Sequence, residues 1–453
     1  MNATLTAIWD SLRSSFWFVP SLMLTFGVAL GLVMPWVDTQ LSLLDDWPWP
    51  WLETTGEASR ATLAAMAGAL MTVTGVVFSV TMVTLSLTTS QFGSRLVRSF
   101  SEHNISQFAL GTFLSTSVYC LLVLKSVRTV SGSEFAPHLS TAIGVVASIC
   151  SLILLIAFIH ATNHSIQAQS VVRAVAQDLQ SAIDWLFPEP LEDGDQPDRP
   201  AGDVDPGQLF DRMHATSIRC TSEGYLQGFD AHGLCQLAKE QNTAIRMLAR
   251  PGDFISCGTV IAEFQSAEVN PEELSDRFNG QLIVGIRRTP RQDLECAILE
   301  LVEVAVRALS PGINDPFTAV AVIDYLSASL RKLAGRKTPS SYRFDEDGSL
   351  RLIIIPTTFT EVFETAFRQI RQYGCSSPAI LIRLLEAFAN IAEATPRKKD
   401  REMIQRHGKM VLRAGKENVS EPFDLEAIEE RYERLQSKLR LPDSGESKGE
   451  GDP

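Results

Sequence analysis

The sequence predicts an α-helical membrane domain with four transmembrane helices, followed by a cytoplasmic α+β domain made of a small β-sandwich-like part and a helical part. Three observations carry this expectation. Four stretches in the first third are apolar over the roughly 20 residues that a span requires. The rest of the chain mixes short β-forming runs with helically spaced aliphatic residues and a normal density of charge. Between the two halves, PEPLEDGDQPDRPAGDVDPG breaks all periodicity with Pro, Gly and Asp and reads as a solvated linker.

The expected spans are residues 16–37, 61–87, 105–127 and 138–160, within a membrane domain covering 1–165. The second is long enough to tilt or to project beyond the hydrocarbon. The first ends in MPWVD without a small-residue cleavage site, so it reads as an uncleaved span and not a signal peptide. DDWPWPWLE (45–53) sets three Trp at headgroup level, where amphipathic rings are favourable. Arg13, Arg95, Arg98 and Arg173 share one side of the membrane, and the first loop on the other side is acidic; Lys125 and Arg128 run against this count. The positive-inside rule then puts both termini in the cytoplasm of a bacterial inner membrane.

Residues 166–187 keep an apolar stripe through Ile166, Val172, Val175, Leu179, Ile183 and Leu186, which reads as a cytoplasmic helical extension. The acidic linker is 188–207 and a β-rich part follows over 208–289, with strands expected at SIRCTS, TAIRMLA, TVIAEF and QLIVGI and a helix at AHGLCQLAKEQ. RPGDFISCGTVIAEF resembles one hairpin of a lipoyl-like sandwich, but the turn has no Lys to carry a cofactor. From 290 to 440 the chain is mainly helical, with one strand at RLIIIP, and 441–453 is a disordered tail. Asp315 as N-cap and Pro316 at the first helical position mark one helix start.

A net charge of −13 argues against nucleic acid, which calls for a basic face. The seven cysteines stand singly, without a Cys-x-x-Cys pair, which suits neither a disulfide framework nor a zinc motif. No phosphate-binding loop, G-x-S-x-G elbow, dinucleotide fingerprint or H-E-x-x-H occurs, so neither an enzyme activity nor a cofactor is expected.

The feature with most functional content is MTVTGVVFSVTMVTLSLTTSQF (71–92), a span with a hydroxyl at nearly every second or third position. At 100° per residue, Thr74, Thr81 and Thr88 form one stripe with Thr84 and Gln91 beside it; Thr72, Ser79, Ser86 and Ser90 form a second on nearly the opposite side, near Gly68 and Gly75. Back-bonding to the i−4 carbonyl and close helix packing account for one stripe, at about 0.6 kcal/mol per contact. The first stripe is therefore the pathway-lining candidate and the second the helix-packing candidate. The bland alternative is a helix packed on all sides. No Asp, Glu, Lys or Arg lies deep in a span, which speaks against proton-coupled transport and fits a passive route.

FWFVPSLMLTFGVALGL, GVVFSVTMVTLSLTTSQFGSRLVRSF, LGTFLSTSVYCLLVLKSVR and above all RALSPGINDPFTAV resemble the predicted bacterial membrane proteins grouped as domain of unknown function 2254. The resemblance implies a multi-pass inner-membrane protein with a cytoplasmic domain, and it transfers no catalytic residue. Within SPGINDP, Asn314 and Asp315 could hold an ion at the following helix N-terminus, but a turn and a capped helix explain the same residues. His160 and His164, four apart on one helix face, are weak metal-ligand candidates without a third ligand in sight. Arg287, Arg288 and Arg291 read as a basic turn seeking either phosphate, anionic lipid or salt partners. The expectation is an oligomeric channel-like protein of the bilayer, self-associating and gated or assembled by its cytoplasmic domain. A membrane-anchored sensor or scaffold, whose cytoplasmic domain binds a ligand or partner, is the alternative.

Overall fold

The computed structural model describes residues 17–41, 54–92, 104–130, 133–165, 168–190, 215–265 and 271–440. The tryptophan loop, Arg13, Arg95, Arg98, most of the linker and the tail lie outside the described residues. The chain forms two compact units, 1–171 and 172–453.

In the first unit, four helices are long and apolar enough to cross a membrane: α1 (Phe18–Leu41), α2 (Gly56–Phe92), α3 (Asn104–Ser126) and α4 (His138–Ser165). A short antiparallel pair, β1 (Arg128–Val130) and β2 (Ser133–Phe135), joins α3 to α4, with Arg128 opposite Phe135. α3 is the most buried of the four helices. Glycines bring α1 close to it. A Cβ at Gly27 would stand 2.8 Å from the Ser115 carbonyl oxygen, one at Gly31 would stand 2.9 Å from Leu122, and one at Gly111 would stand 2.7 Å from the Met23 sulfur. Gly27-x-x-x-Gly31 is thus a small-x-x-x-small contact of the kind that lets membrane helices approach closely. Two apolar clusters fill the bundle, one around Leu63, Ala67, Tyr119, Cys120 and Val123, the other around Leu70, Val77, Leu110, Phe113 and Phe158.

A buried carboxylate ties two of these helices together. Asp38, near the end of α1, accepts from the backbone N–H groups of Leu139 (3.0 Å) and Ser140 (2.9 Å), and from the Ser140 hydroxyl. It caps the N-terminus of α4 from another helix, satisfying orphan amides and meeting the positive end of the helix dipole. Tyr119 of α3 donates to the Ser140 carbonyl at 2.8 Å and closes the same corner.

The second unit opens within α5 (Ala168–Leu186), which buries Val172, Val175, Leu179 and Ile183. Two sheets follow. One has five strands in the order β3-β7-β5-β10-β9: β3 (Thr216–Arg219), β7 (Val260–Phe264), β5 (Ile245–Met247), β10 (Leu350–Ile353) and β9 (Tyr342–Phe344). Only the β5–β10 pair is parallel. The other has three antiparallel strands in the order β6-β4-β8: β6 (Phe254–Ile255), β4 (Gly224–Phe229) and β8 (Leu282–Gly285). The single hairpin expected across RPGDFISCGTVIAEF is corrected here, because β6 and β7 belong to different sheets. β4 was not expected, since Gly224 and Gly228 dilute its β-formers. Gly224, at φ +145°, is required where a Cβ would stand 2.6 Å from the Gly285 carbonyl oxygen. The strands β9 and β10 return from beyond residue 290 to complete the five-stranded sheet, so it is assembled across the boundary drawn from composition.

Between and after the strands lie α6 (Ala231–Glu240), α7 (Pro271–Asn279), α8 (Leu294–Ala308), α9 (Pro316–Ala334), α10 (Phe359–Tyr373), α11 (Pro378–Glu393), α12 (Lys398–Asn418) and α13 (Pro422–Leu439). Lys332, in the last turn of α9, and Arg336, just beyond it, hold Asp184 of α5 at 2.7 and 2.8 Å. Arg250 reaches Glu295 at the start of α8 (3.2 Å) and Glu361 in the capping box of α10 (3.1 Å), fastening the strand region to the helices. Phe363, Phe367 and Phe388 form an aromatic core against which His407 of α12 packs.

Candidate functional site: the outward face of the second span

Helix α2 is apolar enough for a membrane, and three of its hydroxyls are satisfied by its own backbone. Thr72 donates to the Gly68 carbonyl (3.0 Å), Thr74 to Leu70 (2.7 Å) and Thr81 to Val77 (2.7 Å). These bonds remove the need for water at those positions. Polarity therefore says little about what α2 faces, and side-chain volume becomes the informative quantity.

Leu63, Ala67, Leu70 and Val77 are buried and define the inward side of α2. Thr74, Thr81 and Thr84 lie beside them and are half-buried, so the stripe expected to line a pathway meets the protomer's own bundle. Gly68, Thr72, Gly75, Ser79 and Ser86 are exposed within an arc of roughly 60° on the other side. A Cβ added at Gly68 or Gly75 would meet nothing within 4 Å. Within one protomer, then, the residues expected to pack are exposed, and Thr74, Thr81 and Thr84 of those expected to face a pathway are half-buried. Thr88 and Gln91 lie on the same helix, but their side chains fall outside the described residues.

The outward residues form a shallow groove. Its floor is the Gly–Thr–Gly–Ser series, and exposed Met71 and Phe78 flank one side while Val76 and Val83 flank the other. The neighbouring helices differ in that their glycines, Gly27, Gly31 and Gly144, are buried. α1 exposes Leu22, Phe26, Leu32, Val33 and Trp36, and α4 exposes Val146, Ile149, Leu152, Ile153, Ile156 and Ile159. Bulky side chains of that kind suit acyl chains, whereas small residues characterise helix–helix contacts.

The remaining candidates resolve into local structure. Asp315 is the N-cap of α9: its carboxylate accepts from the Thr318 N–H (3.2 Å) and hydroxyl (2.5 Å), and its own N–H donates to the Ala308 carbonyl (2.8 Å). Asn314 takes a left-handed conformation (φ +49°), which Asn tolerates, and donates through its N–H to Ser310. Arg288 is held by Asp293, at 2.6 and 2.8 Å, so the basic turn has found an internal salt partner. His160 is exposed on α4 and the side chain of His164 falls outside the described residues. Among the described residues, no three His, Cys, Asp or Glu side chains converge as a metal site would require.

A family model described as "Predicted membrane protein (DUF2254)" matches residues 13–390. The chain belongs to this family. An uncharacterised protein of Mycobacterium tuberculosis and one of Mycobacterium bovis are each 29% identical to this chain over 427 residues, covering 92% of this chain and 79% of the relative. No solved structure matches. The DUF2254 match takes in the whole of α1–α4 and ends inside α11, leaving α12 and α13 beyond it.

Proposed function

We propose that this membrane protein is a homo-oligomer of channel-like character, in which the outward groove of α2 meets the same helix of a second copy. The observation that carries the reading is the narrow arc of Gly68, Thr72, Gly75, Ser79 and Ser86, which α2 leaves exposed with open space above both glycines, between the larger exposed Met71, Val76, Phe78 and Val83. Small residues presented to lipid forgo the dispersion contacts that a close protein neighbour supplies. The absence of a deep ionisable residue in the spans favours passive movement over proton coupling. The basic residues near the spans favour an inner-membrane placement with both termini and the second unit in the cytoplasm, where that unit would assemble or gate the oligomer.

Two measurements test this. Gly68→Leu with Gly75→Leu fills the groove without touching the protomer's packing, so the double variant is expected to fold but to run as a smaller species in detergent. Wild-type protein in liposomes is expected to release Na⁺, K⁺, Cl⁻ or a small osmolyte faster than empty vesicles. An unchanged oligomeric state in the variant removes α2 from the interface, and no flux of any of these solutes removes the channel.

A further inference from the structure

A cleft of about 270 Å³ lies between α11 and α13 and is lined by Glu386, Asn390 and Glu393 on one wall and by Arg431, Arg434 and Lys438 on the other, with Ala389 at its floor. The two walls differ in how firmly their charges are held. Glu386 is gripped from its own helix by Arg383 at 3.0 Å, and Arg383 is itself fixed by two bonds to Asp324 of α9. Glu393 is gripped from α9 by Arg331 at 3.0 Å. The same Arg331 donates to the Asn390 side-chain oxygen at 2.7 Å, while the Asn390 amide donates to Ser327 at 3.0 Å. The α11 wall is therefore set by partners that lie outside the cleft.

The α13 wall holds surplus positive charge. Arg431 approaches Glu386 at 3.4 Å and Lys438 approaches Glu393 at 2.8 Å, so each carboxylate meets two cations, although Arg383 divides its charge between Glu386 and Asp324. Arg431 also meets Glu430, an exposed pair that solvent screens. Arg434 lies between these two cations and has no carboxylate partner among the described residues. Positions 431, 434 and 438 fall on one face of a helix, where like charges repel. Across the cleft and its immediate partners, the five cations Arg331, Arg383, Arg431, Arg434 and Lys438 face the four carboxylates Asp324, Glu386, Glu393 and Glu430, so one positive charge, that of Arg434, is left over in a chain of net charge −13.

We propose that this cleft binds a small multivalent oxyanion, held by Arg434 together with Arg431 and Lys438. Guanidinium groups bind phosphoryl and carboxylate oxygens through paired N–H donors, and the ammonium adds a point charge. On binding, Arg434 supplies the unpaired charge, Arg431 and Lys438 share their donors between the glutamates and the ligand, Arg331 stays on Glu393, and Arg383 remains shared between Glu386 and Asp324. The volume accommodates a compact metabolite and not a polymer. The proposal is independent of the oligomer: loss of flux leaves the cleft unchanged, and loss of anion binding leaves the α2 groove unchanged.

The test is isothermal titration of the full-length protein in lipid nanodiscs with pyrophosphate and, separately, with citrate, at ionic strength matched with NaCl. Saturable binding of at least one probe, with a sub-millimolar dissociation constant, is expected. Arg434→Gln should weaken it at least tenfold, and Arg434→Gln with Lys438→Gln should abolish it. Arg413→Gln, an exposed change on α12, should leave it unaltered. Binding of pyrophosphate alone assigns the site to phosphoryl groups, and binding of citrate alone assigns it to carboxylates. Neither Arg434 nor Lys438 is buried, and matched melting curves of the variants without ligand establish that they fold. Failure of both probes to bind beyond the NaCl control overturns the proposal, as does wild-type affinity in the double variant.

Discussion

His407 offers the most quantitative prediction. It is 3% exposed on α12, its ring packs edge-on against Phe363 at 5.2 Å and Phe388 at 6.3 Å, and its Nδ1 has no hydrogen-bond partner. Burial pushes its pKa down from 6.5 to about 4; the Arg371, Arg406 and Arg368 guanidinium groups add to this and Glu364 opposes it. A folded-state value below the unfolded one means that folding favours the neutral ring. Its contribution is therefore complete above pH 6.5 and is lost as the pH falls toward 4. Between pH 7.5 and 5 the loss amounts to about 2 kcal/mol, and below pH 4 it approaches about 3.4 kcal/mol. His407→Phe removes the titrating group, extends the aromatic cluster and eliminates an unpartnered polar atom. The variant is expected to be at least as stable at pH 7.5 and to lack this part of the acid sensitivity. Amide hydrogen exchange of α10–α12, corrected for the intrinsic pH dependence of exchange, reads the second unit separately from the membrane helices. Equal loss of protection in wild type and variant between pH 7.5 and 5 would refute the argument, because the difference between them isolates one imidazole.

Other consequences are equally direct. Gly111→Leu, unlike the α2 double variant, drives a side chain into Met23 and Pro20; overpacking of about 1–3 kcal/mol should lower the melting temperature of the protomer in detergent. Asp38→Ala strips the Leu139 and Ser140 N–H groups of their acceptor. A cost of about 1–3 kcal/mol is expected, with Asp38→Asn recovering part of it, both read from thermal unfolding. Asp315→Ala should cost about 1 kcal/mol through loss of the α9 cap and leave solute flux unchanged; a flux defect in a folded variant would reopen SPGINDP as a functional loop.

The parts of the fold that were legible in the sequence are local ones. Apolar length marked the four membrane helices, and the Asp315–Pro316 pair placed the start of α9. What escaped depends on partners distant in sequence. β10 lies parallel to β5 across more than a hundred residues, and no local pattern announces that pairing. GYLQGF reads as a poor strand because its glycines answer to the Gly285 backbone and the Gln292 side chain. Asp38 looks like a loop residue until α4 is seen to begin beside it. The helical wheel assigned packing to the Thr72 stripe and a pathway to the Thr74 stripe, whereas within the protomer it is the Thr74 stripe that lies beside the buried residues. The signal that decides it was present in the Leu63–Leu70–Val77 heptad, whose large side chains share a face with Thr74 and Thr81.

Two glycine pairs in this chain carry the same local information and meet different fates. Gly27 and Gly31 are buried under Ser115 and Leu122, where a Cβ on either would collide with α3. Gly68 and Gly75 have open space above them. In water, an apolar groove is covered because burial releases ordered solvent, but in lipid that drive is absent and association depends on close packing. A groove floored by glycine and small hydroxyl side chains gains little from a disordered acyl chain and more from a helix that fits it. The first pair shows what this chain does with such a groove when a helix is available within the protomer. If the second pair follows the same physics, its partner comes from another copy, and the Gly68→Leu, Gly75→Leu variant separates the copies while the protomer stays intact.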